Sequence, residues 1–195
     1  MRVRPTLWLA SLVLVGGTAT LQHEAGHWLG FELSGIPAGI SFNHTYYLDH
    51  WAPSLAGDLG GPLATLLLSY CGLVLVGVAA VREFGAALAI GHATSRLLAY
   101  GIFALGGSIR WNDEGVAALY LGWPDWTFVM LFAPLLILAL GLSWRRLSCS
   151  RLERARIFSG VILAVAVLGG VETEILDPRL FPDASRRELV LPGPR

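Results

Sequence analysis

The apolar residues of this chain fall in long runs separated by short polar breaks. A run of about 20 residues is what a helix needs to cross the hydrocarbon core of a bilayer. Five stretches reach that length: 6–31, 59–80, 84–105, 126–144 and 157–176. The pattern therefore predicts an all-α polytopic membrane protein with about five transmembrane helices. The breaks carry their own signals. Gly35, Pro37 and Gly39 stop the first helix, and Ile40-Ser41-Phe42 and Thr45-Tyr46-Tyr47 flank the turn-like pair Asn43-His44. That layout predicts a small β-hairpin over 38–48. A polar loop over 106–113 leads into a short apolar helix over 114–121, which Gly122 and Pro124 end. Residues 1–176 form one membrane-embedded domain on this reading, and 177–195 form an exposed tail rich in Pro and Arg.

Composition supports the membrane reading. The chain of 195 residues is 54% hydrophobic and 14% charged, against roughly 25% charged in soluble domains. Net charge is +0, so nothing suggests a nucleic acid partner. All basic residues are Arg. Arg2, Arg4, Arg82, Arg145, Arg146, Arg151, Arg154 and Arg156 fall at one set of helix ends; Arg110, Arg179, Arg186, Arg187 and Arg195 fall at the other. The bias predicts a multi-pass protein of the cell membrane with a cytosolic N-terminus. A rival reading takes Arg2 and Arg4, the apolar run and Gly17-Thr18-Ala19 as a signal peptide. Cys71 and Cys149 form no paired motif, and Cys71 is expected to be a small core residue.

Polar groups inside the apolar runs change the picture most. The first run ends in His23-Glu24-Ala25-Gly26-His27. Histidines four apart on a helix share one face, so both imidazoles can reach one zinc ion, with Glu24 beside them to act as general base. Charged groups cost about 2.5–3.5 kcal/mol each at the centre of a bilayer, which argues for a task. A catalytic zinc needs a third ligand and an open position. Asp113 is a candidate, with Glu114 and His92 as alternatives; Asp113 is equally well read as the cap of the short helix. His92 also reads as a buried partner of Arg96, and Asp58 as the N-cap of the second helix. Gly26, Gly30, Gly60 and Gly61 suit close packing of the first two helices. Glu172 and Glu174 are placed at the water interface.

Taken together, these motifs resemble the site-2 protease family of intramembrane zinc metalloproteases. His23 to His27 matches that family's HExxH, the stretch 56–63 with Gly61-Pro62 resembles its small-residue Gly-Pro motif, and Asn112-Asp113 stands where its third ligand is supplied. The third motif departs from the family's pattern: no proline precedes it, and Glu114 intervenes before Gly115. The resemblance implies Zn2+ held by His23, His27 and Asp113, with Glu24 as catalytic base and a membrane protein or peptide as substrate. It also implies that the hairpin receives an unwound substrate as an added strand, with Phe42 and Tyr46 as substrate-binding residues. Two other functions use the same residues. One is a membrane zinc hydrolase of a non-peptide substrate; the other is a non-catalytic zinc-binding scaffold.

Overall fold

The computed structural model describes residues 4–49, 52–147 and 149–181. The chain is mostly helical, with a single two-stranded antiparallel sheet among the described residues. Among the described residues, four helices are long and apolar enough to cross a membrane. They are α3 (Leu55–Leu75), α4 (Arg82–Leu105), α6 (Thr127–Leu147) and α7 (Arg151–Val171). The last continues through a π turn, Glu172–Leu176, into the short α8 (Asp177–Leu180). The helical segment thus runs past 176 into the stretch expected to be tail, and 182–195 lie outside the described residues.

The first apolar run is not one helix. It divides into α1 (Pro5–Gly16) and α2 (Ala19–Leu33). The N–H of Gly17 still bonds Val13 O, but Thr18 takes φ −134° and turns its hydroxyl back onto Leu14 O at 2.8 Å. The helical ladder is interrupted there. At 12 and 15 residues and about 1.5 Å rise per residue, each piece is shorter than the ~30 Å core. A single crossing helix over 6–31 is therefore corrected to two helices joined at a bend.

Cap chemistry moves other boundaries. Helix α3 starts at Leu55, four residues before the expected 59, because Ser54 caps it: its hydroxyl accepts Gly57 N–H at 2.9 Å. Asp58 lies within the first turn and is not the cap. Asn112 caps α5 (Asp113–Tyr120) by accepting Gly115 N–H at 2.7 Å. The capping reading of Asp113 is thereby overturned, and its carboxylate is left for other partners.

Helix α2 lies along α3, and α3 along α4. Glycines set the first contact. A Cβ on Gly26 would strike the carbonyl of Gly60, one on Gly60 would strike that of Gly26, and one on Gly30 would strike Ala56. The two backbones touch, as small residues allow in apolar surroundings. Helix α1 packs on α4 and α7 through Leu12, Ile90, Ile157 and Val161. The short α5 is seated between α3 and α6 by Leu59, Ala117, Ala118, Phe128 and Phe132.

At one end of the bundle Arg4 pairs with Glu83 at 2.6 Å, and Arg146 donates to Leu73 O at 2.6 Å. Two residues read differently here than in the sequence, Cys71 and Glu172. Cys71 is exposed on the outer face of α3. Glu174 is exposed, but Glu172 is 2% exposed at the start of the π turn and does not sit at a water interface.

The hairpin forms where expected: β1 (Ala38–Ile40) pairs with β2 (Thr45–Tyr47), Gly39 opposite Tyr46. Its tip is tied to the far end of the chain. Asp177 accepts Ser41 Oγ–H at 2.9 Å and the backbone N–H groups of Phe42 and Asn43 at 2.7 and 3.1 Å.

Candidate metal centre

Helix α2 puts the two imidazoles on the face turned to α3, one helical turn apart. Each ring is oriented through its Nδ1. That of His27 donates to the carbonyl of Gly57 at 2.7 Å, and that of His23 meets Thr65 Oγ1 at 2.9 Å. A carbonyl only accepts, so His27 Nδ1 carries a proton, and in the neutral ring its Nε2 presents a lone pair. An orienting bond of this kind to a ring nitrogen is the usual partner of a metal-ligating histidine.

Asp113 completes a triangle. His23 Nε2 and His27 Nε2 lie 3.1 Å apart, and Asp113 Oδ2 lies 3.2 Å from the first and 3.5 Å from the second. Three donors at about 2.0–2.1 Å from a tetrahedral zinc stand roughly 3.3–3.4 Å apart. Nitrogen and oxygen donors converging at that spacing fit the ion by type and by size. Glu24 neighbours them: its carboxylate and the two imidazoles all lie within 4.8 Å of one another. Helix α5 supplies Asp113 because Asn112 has taken the capping role.

The alternatives for the third corner are turned elsewhere. Glu114 is fully buried and bonded to Arg96 and Tyr100, and His92 Nε2 meets Gln22 Oε1 at 2.8 Å. The expected packing of His92 with Arg96 gives way to this contact across to α2. Arg96 turns to the acids of α5 and bonds Asp113 Oδ2 at 2.6 Å. Asp113 lies outside the four long helices. Burial opposes its charge, but the Arg96 guanidinium beside it prevails and holds its carboxyl well below the usual range.

Sequence reasoning did not single out Thr45, the hydroxyl that holds Glu24. From β2 it donates to Glu24 Oε2 at 3.0 Å and lies 2.9 Å from the Glu24 carbonyl. The hairpin thus lies against the acid next to the imidazoles. A hydrogen bond to a charged group contributes about 1.5–3 kcal/mol. In a zinc peptidase, loss of this bond through Thr45→Val would lower turnover roughly tenfold with zinc content unchanged. Metal analysis beside an activity assay checks this, and unaltered turnover would remove Thr45 from the site.

Phe42 and Tyr46 both lie in the hairpin. Phe42 is in the turn, its N–H bonded to Asp177 and its ring 5.8 Å from that of Phe181; Tyr46 lies over Gly39. At Ala38 the edge of β1 is occupied, since its N–H bonds Glu32 and its carbonyl accepts from Trp28 Nε1.

A cavity of about 190 Å3 opens beside the α1–α2 bend, with His23, Thr20, Thr65, Ser95 and Arg96 in its wall. It has room for several waters. Small residues on the same wall, Gly16, Ala19 and Ala99, leave that space open. Compared with family models, with curated proteins and with solved structures, the chain matches none.

Proposed function

We propose that this chain is a multi-pass membrane zinc peptidase of the site-2 protease kind, acting on membrane-associated polypeptides. The observation that carries the reading is the donor triangle of His23, His27 and Asp113, with Glu24 beside it. On this reading α1 and α2 together make a fifth, bent crossing beside the four long helices, which brings the imidazoles below the surface of the bilayer.

His23 Nε2, His27 Nε2 and Asp113 Oδ2 would hold the ion. When bound, zinc supplies a Lewis acid that polarises a carbonyl and lowers the pKa of water to about 7. Glu24 takes the proton of the attacking water at its carboxylate and returns it to the leaving amine. Thr45 fixes the carboxylate for both transfers. Gly57 and Thr65 keep the imidazoles facing inward. The polar wall of the cavity at the α1–α2 bend lets water reach His23 between apolar helices.

One observation favours a second reading. Asp113 Oδ2 is already bonded by Arg96 at 2.6 Å. A charge-paired cluster without an ion, in which His23 Nε2–H donates to Asp113, would use the same atoms. Metal analysis decides between them. Purified protein in detergent is expected to carry one equivalent of zinc, and His23→Ala and Asp113→Ala to lose it, with affinity down at least about 100-fold. Wild-type protein that carries no zinc and takes none up would exclude the peptidase and leave the ion-free cluster standing.

A further inference from the structure

Arg96 lies midway along α4, buried, with Tyr100 one turn further on; Glu114 is fully buried in the first turn of α5. Arg96 Nε donates to Glu114 Oε1 at 2.9 Å, and its Nη2 bonds both Glu114 Oε2 and Asp113 Oδ2. The Tyr100 hydroxyl donates to Glu114 Oε1, and its ring centre is 5.3 Å from the guanidinium carbon. Burying an ion pair is seldom a net source of stability, and apolar residues of similar volume often serve as well. Stability therefore does not explain these charges. Their geometric effect is to fix the start of α5 on α4 with Asp113 facing the imidazoles.

We infer that Arg96 and Glu114 form a charge-compensated clamp that aims Asp113 at His23 and His27. The inference rests on the ligand set proposed above. Arg96 is a positioning residue: one planar guanidinium reaches two carboxylates at once, which a lysine head cannot do with the same fixed geometry. By itself a cation bonded to a ligand oxygen would repel a divalent ion. Glu114 offsets that charge, so the clamp sums to zero and the charge of Asp113 remains for the metal. Glu114, the residue that sets this chain's third motif apart from the family pattern, thereby gains a role.

Zinc affinity is measured by chelator competition on full-length protein in detergent. The forms compared are wild type, Arg96→Lys, Glu114→Gln and the double variant Arg96→Met with Glu114→Leu. Thermal unfolding of each zinc-free form is followed in parallel. Arg96→Lys is expected to weaken zinc about tenfold, and the other two about 10–100-fold, the range for groups that orient metal ligands. The double variant is expected to melt closer to wild type than Glu114→Gln does, since the Arg96–Glu114 pair leaves together. Restored stability with weakened zinc separates aiming from mere packing. A double variant that binds zinc as tightly as wild type, or any variant that binds it more tightly, overturns the clamp. Should the double variant fail to fold, Arg96→Lys decides, and unchanged affinity there overturns it. Wild-type protein that takes up no zinc overturns the ligand set and the clamp with it.

Discussion

Replacing Glu24 by Gln is expected to abolish turnover while leaving zinc in place. The amide keeps the shape of the side chain and an oxygen that can still accept from Thr45, so the hairpin contact at 3.0 Å survives. What it lacks is basicity. General-base catalysis contributes about 10²–10⁴-fold, and each tenfold is about 1.36 kcal/mol of barrier. Cleavage of a membrane-protein substrate should fall by at least that factor, with zinc per chain equal to wild type. Each part of the result has its own consequence. Turnover at the wild-type rate would show that Glu24 is not the base. Loss of zinc together with turnover would show that it is a ligand, a role its closeness to both imidazoles makes worth excluding.

The sequence made parts of this site legible because they depend on local spacing. His23 and His27 are one turn apart in any helix, so their convergence needed no tertiary knowledge. The hairpin at 38–48 was legible for a similar reason: helix breakers and β-formers stand next to each other there. Asp113 was ambiguous because two adjacent residues, Asn112 and Asp113, can each cap a helix. The choice fell to Asn112, whose bond to Gly115 N–H frees its neighbour. Thr45 and Asp177 carry no local mark. One acts across 21 positions on Glu24 and the other across 136 on Ser41, distances that only packing closes.

The bend at Gly17-Thr18 was hidden by composition. Apolar residues flank it on both sides, so hydropathy reads straight through a change in backbone direction. Glu172 misled in the opposite sense. An acid at a helix end normally marks water, but the π turn and α8 carry the chain onward, and the side chain is enclosed. Arg96 was read against the wrong partner. Its helical neighbour His92 is four positions away, yet the acids of α5 hold it, because an ion pair offsets burial of a guanidinium far better than an imidazole does.

The second large effect concerns a residue with no side chain. Gly61 on α3 faces both imidazole rings: a Cβ there would stand 2.6 Å from His23 Nε2 and closer still to His27 Nε2. Gly61→Ala therefore places a methyl group against the two nitrogens, and at least one imidazole must move. Metal sites tolerate shifts of about 0.2 Å in ligand distance, less than this clash demands. Zinc affinity is expected to fall at least about 100-fold, and turnover with it. Helix propensity works the other way, since Ala is favoured over Gly in a helix interior by about 1 kcal/mol, so the loss cannot be assigned to a weaker α3. Zinc content and helix content, measured on the same detergent sample, make the separation. Intact helices without zinc place the metal against Gly61. Intact helices with a full complement of zinc would mean that the ion does not sit between these imidazoles.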